Sequence, residues 1–308
     1  MVVYLSEYIY PEAEKLLREQ ATVVNTFDRI EEIDAIIVRG ASVTAEMMDR
    51  AKKPKVIAKH GIGCNSIGVK AARERGIQVI YTPTANADSV AELTVGLFLL
   101  LQRRLYEANV GCRESRFATI APRDFLGTEM LGKTFGQIGM GNIAQRIAHI
   151  MNKGFGVRVL GYDPFVDKAE AERRGFEPVD TLEELLERSD MVNVNVPLVP
   201  STTRMISGKV FDHFKPGAVF VNAARGAVID EDDLYNALVS GKLKAAACDT
   251  FVHEPPTAAN KLLSLPNFSA TPHIGGNTEE ALQKSGMEVV TETLRVLNGE
   301  KPVHPYLQ

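Results

Sequence analysis

Residues 136–148 read GQIGMGNIAQRIA, and the spacing of their small residues governs everything around them. A strand-like run, KTFGQIG (133–139), leads in, and a helix-like run, NIAQRIAHIMNK (142–153), leads out. Between them stands Gly139-x-Gly141-x-x-Ala144. Gly139 permits a tight turn, Gly141 lets the backbone approach a pyrophosphate, and Ala144 replaces a third glycine where helix meets strand. The phosphates would sit at the helix start, by Asn142 and Ile143, where free N–H groups and the helix dipole favour anions. The next strand, VRVLGYD (157–163), ends in Asp163. An acid about 20 residues past the loop accepts from ribose hydroxyls and repels a 2′-phosphate. The pattern points to a dinucleotide site that prefers NAD.

Outward from this stretch, strand-like and helix-like segments alternate. On the C-terminal side MVNVNV, AVFVNAA, KAAACDT and NFSATP read as strands. KAEAERRG, TLEELLERS and EDDLYNALVSG read as helices, the last stopped by Gly241. On the N-terminal side VVYL, IDAIIV, KVIAKH and IQVIY alternate with PEAEKLLREQ, TAEMMDRA and SIGVKAARERG. Short continuous apolar strands suit parallel sheets covered by helices on both faces. A long helix is expected from near Ala87, with a capping box at Ser89 and Glu92. Residues 111–131 read as a loop crossing between domains, and a final helix is expected to end at Gly299.

Composition narrows the function. The chain has 308 residues, 45% hydrophobic and 24% charged, enough for two domains with cores of their own. A net charge of -4 and the absence of a basic stripe argue against nucleic acid. The longest apolar run, VGLFLLL (95–101), is far short of the roughly 20 residues that span a bilayer. The N-terminus lacks a basic region before an apolar core, so no signal peptide is expected. Cys64, Cys112 and Cys248 show no CxxC spacing, which favours reduced thiols in the cytoplasm. No metal-ligand cluster is present in the pattern, and no metal is expected.

Five blocks carry a resemblance. GKTFGQIGMGNIAQRIA, NAARGAVIDEDDLYNALVSGKLKAAACDTFVHEP and TPHIGG are similar to the signature blocks of the D-isomer-specific 2-hydroxyacid dehydrogenases. KHGIGCNSI and NADSVAELTVGLFLLLQRR resemble that family's substrate loop and inter-domain helix, in the family's order. The style is that of the phosphoglycerate dehydrogenase-like branch. The resemblance implies an α/β fold of two doubly wound parallel-sheet domains, a Rossmann nicotinamide domain inserted in a flavodoxin-like substrate domain. The expected bounds are 1–97 plus 279–308 for the substrate-binding domain and 98–278 for the dinucleotide-binding domain. It implies a homodimer, with VGLFLLL and GCRESRFATI offering an arm to a partner.

It also implies roles. Arg225, Glu254 and His273 form the catalytic set. His273 is the acid/base, Glu254 orients its ring, and Arg225 binds the carboxylate and polarises the C2 oxygen. Ile62, Val196, Pro197, Ala223, Ala224, Arg225, Asp249, His273, Gly275 and Gly276 match cofactor positions, Asp249 at the carboxamide. Gly61, Ile62 and Gly63 match the loop whose N–H groups hold the substrate carboxylate, and His60 precedes it. Arg39 matches an arginine that faces substrate in phosphoglycerate dehydrogenases. Together with Arg225 it would suit a doubly anionic hydroxyacid, phosphorylated, sulfonated or dicarboxylic, unless it pairs with Asp34 or Glu46 instead.

The chain departs from the family where it reads Asn65, Ser66, Ile67, Gly68, and it contains no Trp. The expected activity is NAD-dependent interconversion of a D-2-hydroxyacid and its 2-ketoacid. Two alternatives are an NADP-preferring glyoxylate or hydroxypyruvate reductase, against which Asp163 argues, and a cofactor-gated binding module of the corepressor type.

Overall fold

A computed structural model describes residues 1–52 and 54–307. The chain packs as two compact units. One combines Met1–Asn86 with the segment from Gly276 onward, and the other is Ala87–Gly275.

In the first unit the elements run β1 (Val2–Leu5), α1 (Pro11–Gln20), β2 (Thr22–Val24), β3 (Ala35–Val38), α2 (Ala45–Ala51), β4 (Val56–Lys59), α3 (Val69–Glu74) and β5 (Gln78–Tyr81). The strands form a parallel sheet in the order β2-β1-β3-β4-β5. Strands β3 and β4 are buried along their whole length, the pattern of strands covered on both faces.

The second unit runs α4 (Ala87–Arg103), α5 (Leu105–Arg113), β6 (Thr134–Ile138), α6 (Asn142–His149), β7 (Arg158–Tyr162), α7 (Lys168–Arg173), β8 (Glu177–Pro178), α8 (Leu182–Arg188), β9 (Met191–Val194), β10 (Ala218–Asn222), α9 (Glu231–Val239), β11 (Leu243–Cys248) and β12 (Phe268–Ala270). Its sheet, also parallel, has the order β12-β11-β10-β9-β6-β7-β8. The last helix, α10 (Glu279–Leu297), returns to pack on α1, β3, β4 and β5 of the first unit. Thr278 caps its start and Gly299, with φ of 85°, ends it.

In both parallel sheets the strand order switches sides at an inner strand. In the first, β1 lies between β2 and β3; in the second, β6 lies between β7 and β9. In open α/β sheets ligands bind beyond the C-terminal strand ends at such switch points. The two orders are those of a flavodoxin-like sheet and a doubly wound Rossmann sheet, as the resemblance implied.

Four expectations need correcting. Residues 98 and 278 do not divide the packing: 97/98 falls inside α4, which packs on α6, β10 and β11 of the second unit. Phe98 meets Phe135 edge-to-face there, ring centres 5.4 Å apart. Ser89 is not an N-cap, because α4 already begins at Ala87. VGLFLLL is not an arm, since Val95, Leu97, Phe98 and Leu101 are buried in the core of their own unit. Residues 111–131 are not all loop and do not cross between units: Gly111–Arg113 close α5, and the segment stays within the second unit. Arg104, at φ 52°, breaks α4 from α5 and hid this helix from the periodicity.

Candidate functional site

The glycine loop follows β6. Gly139 has φ of 83°, and a Cβ there would collide with the Asn195 carbonyl behind β9, so only glycine fits. Around Gly141 an added Cβ would meet nothing within 4 Å. Gly141 is the N-cap of α6, with no side-chain cap and no acid in the first turn, which leaves the positive helix end open to an anion. Asn142 is exposed, Ile143 half-buried and Ala144 fully buried. The loop is held rigidly. The Asp163 carboxylate accepts the Met140 N–H at 3.0 Å and the Phe165 N–H at 3.0 Å. The Met140 carbonyl takes Arg174 Nη1 at 3.0 Å and Gln145 Nε2 at 3.3 Å. Asp163 therefore shapes the loop directly, a job the sequence pattern did not disclose. An open glycine, a bare helix start and a carboxylate at the next strand end fit a dinucleotide. Val196, half-buried, and Pro197, exposed, follow β9 on the other side of the switch point.

The NAARG turn leaves β10. Asn222, fully buried, spans it: its Oδ1 accepts the Ala224 N–H at 3.0 Å and its Nδ2 donates to the Arg225 carbonyl at 3.0 Å. Sequence reasoning missed Asn222; a buried amide at the end of an apolar strand was the available signal. Ala223 and Ala224 are buried, and Arg225 is half-buried with Nη1 donating to the Ala224 carbonyl at 2.6 Å. Gly226 presses on the Phe251 main chain so closely that no Cβ fits, which joins this turn to the segment carrying Glu254.

His273 stands exposed in the TPHIGG loop at φ 56°. A non-glycine residue in this region is held there by its surroundings, and Asp249 supplies the hold. Its carboxylate accepts Thr271 Oγ1 at 2.6 Å, the Ile274 N–H at 2.8 Å and the Gly275 N–H at 2.8 Å, and its carbonyl accepts the His273 N–H at 2.8 Å. Asp249 is buried, so the loop is its main partner rather than the surface. His273 Nδ1 lies 2.9 Å from Glu254 Oε2, and Glu254 Oε1 accepts the Phe251 N–H at 2.9 Å. Burial works against the Glu254 carboxylate. The His273 hydrogen bond, the Phe251 N–H and the charges of His273 and Arg225 outweigh it and hold Glu254 below its ordinary range. Phe251, Glu254, Pro255, Pro256, Pro272 and His273 line a small pocket. Arg225, Glu254 and His273 thus share one electrostatic neighbourhood.

In the first unit Gly61 has φ of 127°, and its N–H donates to Thr82 Oγ1 at 2.8 Å. Ile62 and Gly63 are half-buried beside it. His60 is buried, and its Nε2 has no hydrogen-bond partner among the described residues. Burial first, then the charges of Arg39 and Lys59, lower its pKa to about 4, so it carries no positive charge for a substrate at neutral pH. Arg39 pairs with neither Asp34 nor Glu46; its Nη2 donates to Asn277 Oδ1 at 2.9 Å. Gly276 belongs to this unit, against Asn86. Among the described residues no cluster of His, Cys, Asp or Glu could hold a metal, and no helix is long and apolar enough to cross a membrane.

Residues 95–275 match the family described as D-isomer specific 2-hydroxyacid dehydrogenase, NAD binding domain. The chain is 39% identical over 307 residues to D-3-phosphoglycerate dehydrogenase of Methanocaldococcus jannaschii, 97% of this chain but only 58% of that protein's length. It is also 39% identical to hydroxypyruvate reductase of Thermotoga maritima, covering 96% of this chain and 98% of that one. Among solved structures, the TT0316 protein of Thermus thermophilus superposes with a TM-score of 0.89 at 32% identity over 100% of both chains. The match spans most of the second unit, and the relatives span nearly the whole chain: this protein belongs to the D-isomer specific 2-hydroxyacid dehydrogenase family.

Proposed function

We propose that the protein interconverts a D-2-hydroxyacid and its 2-ketoacid, with NAD as the cofactor. The observation that carries this is the His273–Glu254 pair, 2.9 Å apart, under the charge of Arg225 in a chain of this family. The nicotinamide, when bound, gives or takes the hydride; the chain's residues manage the carboxylate and the proton. Gly139, Gly141, the start of α6 and Asp163 would hold the dinucleotide, with Ile62, Val196, Pro197, Ala223, Ala224, Asp249, Gly275 and Gly276 as its further contacts. Arg225 binds the substrate carboxylate with a planar, multi-donor cation. His273 Nε2 takes the hydroxyl proton in oxidation and returns it in reduction, while Glu254 at Nδ1 fixes the ring and steadies the imidazolium. Ile62 and Gly63 offer backbone N–H groups to the carboxylate, whereas the Gly61 N–H is taken by Thr82 Oγ1 and serves to shape the loop.

Arg39, at the switch point of the first unit's sheet, is the residue we assign to a second anionic group on the substrate. His60 supplies bulk and not charge there. We further assign a homodimer, supported by exposed Leu105, Tyr106, Ile120, Leu126 and Leu131 in and after α5. A cytoplasmic location fits the three free cysteines.

The test is NAD and NADP reduction with D-lactate, D-glycerate, 3-phosphoglycerate, sulfolactate and malate. NAD is expected to exceed NADP in kcat/KM, because a 2′-phosphate would meet the Asp163 carboxylate. Equal efficiency with NADP would refute the cofactor assignment, and no turnover with any acid would favour a binding module.

A further inference from the structure

The strand order of the first sheet switches sides at β1, beside β3, so the loops after these strands leave from the place where such sheets take ligands. Glu7 sits in the first loop and Arg39 opens the second. The Glu7 carboxylate turns under the Arg39 loop. Its Oε2 accepts the Arg39 N–H at 2.8 Å, and its Oε1 accepts the Gly40 N–H at 2.6 Å and the Ala41 N–H at 2.7 Å. The Ser6 hydroxyl donates to the same carboxylate. Three successive N–H groups form a concavity of the kind that binds anions, and the protein's own carboxylate fills it.

Arg39 is fixed at its other atoms too. The Lys59 ammonium donates to its carbonyl, and its guanidinium donates to Asn277 Oδ1 at 2.9 Å. One arginine is therefore held at its N–H, its carbonyl and its tip. A long cationic side chain has many rotamers, and losing that freedom only on binding weakens the bound state. Burial disfavours the half-buried Glu7 carboxylate, yet Ser6 and the three N–H groups keep it below its ordinary range and so ionised.

We infer that Glu7 is a positioning residue for substrate selection: it fixes the Arg39 loop so that the guanidinium meets the anionic tail of the hydroxyacid. This rests on the assignment of Arg39 above. A tie that served folding alone would lower stability and slow all substrates alike. A positioning residue changes discrimination between substrates.

The experiment measures kcat/KM for the best of 3-phosphoglycerate, sulfolactate and malate against D-glycerate, and takes the ratio. It uses wild type, Glu7→Gln, Glu7→Asp, Arg39→Ala and Glu7→Gln/Arg39→Ala. Glu7→Gln keeps the shape but sets an amide donor against a backbone donor. The ratio should fall roughly tenfold, the scale of one charge-assisted contact, chiefly through KM. Glu7→Asp, with its shorter arm, should fall between wild type and Gln, and it carries the test if the Gln variant does not fold. The double variant should match Arg39→Ala, because both changes remove one function. If Arg39→Ala lowers the ratio and neither Glu7 variant does, Glu7 is no positioning residue while the Arg39 assignment stands. If Arg39→Ala leaves the ratio unchanged, or no anionic-tailed acid is used, the assignment fails and the inference with it.

Discussion

Two loops of this chain look alike on paper, KHGIG after β4 and PHIGG after β12, and each sets a histidine beside glycines at a strand end. Their chemistry is opposite. His60 is buried, lowered to about 4 and without a partner at Nε2 among the described residues. His273 is exposed, stands at φ 56° and has a carboxylate 2.9 Å from Nδ1. Residue type and glycine neighbours are shared; solvent and partner are not. A histidine moves protons near neutral pH only where water or substrate can reach it and a neighbour tolerates its charge.

The largest expected difference between the two is in rate. His273→Ala should lower kcat by about 10²–10⁴-fold through loss of acid/base assistance, whereas His60→Leu should act first on stability. Steady-state kinetics on both variants separates them. Near-normal turnover by His273→Ala would make the comparison meaningless.

Glu254 sharpens the contrast, since His60 has no equivalent. Glu254→Gln retains a hydrogen bond to Nδ1 but loses the charge that steadies the imidazolium. The pH optimum of ketoacid reduction, which needs the protonated ring, should move down. An unchanged pH profile would show that the carboxylate only orients.

The smallest effect belongs to His60, in stability. Its folded pKa lies below the ordinary 6.5, so its contribution is complete above that value and lost as pH falls from 6.5 toward 4. Urea unfolding should show wild type losing about 2 kcal/mol more than His60→Leu between pH 7 and pH 5. Equal losses would mean that His60 titrates normally and is wet.

Much of the contrast was hidden in the sequence. The strand and helix alternation and the Gly139 loop were legible because they rest on local spacing and backbone need, while the Arg225, Glu254 and His273 blocks were named only through the family resemblance. Glu7, Asn222 and the loop-holding work of Asp163 and Asp249 were not, since each acts on main-chain N–H groups brought near by folding. Helix α5 escaped because a left-handed Arg104 cuts the apolar period. The division at 86/87 escaped because α4 is apolar enough to belong to either unit, and only its packing on β10 and β11 decides.

Chemical rescue tests His273 as the proton carrier most directly. Imidazole should raise ketoacid reduction by His273→Ala in proportion to its concentration, most strongly at pH values where imidazolium is present, and should leave His60→Leu unaffected. Wild-type turnover by His273→Ala without imidazole would contradict the role given to His273.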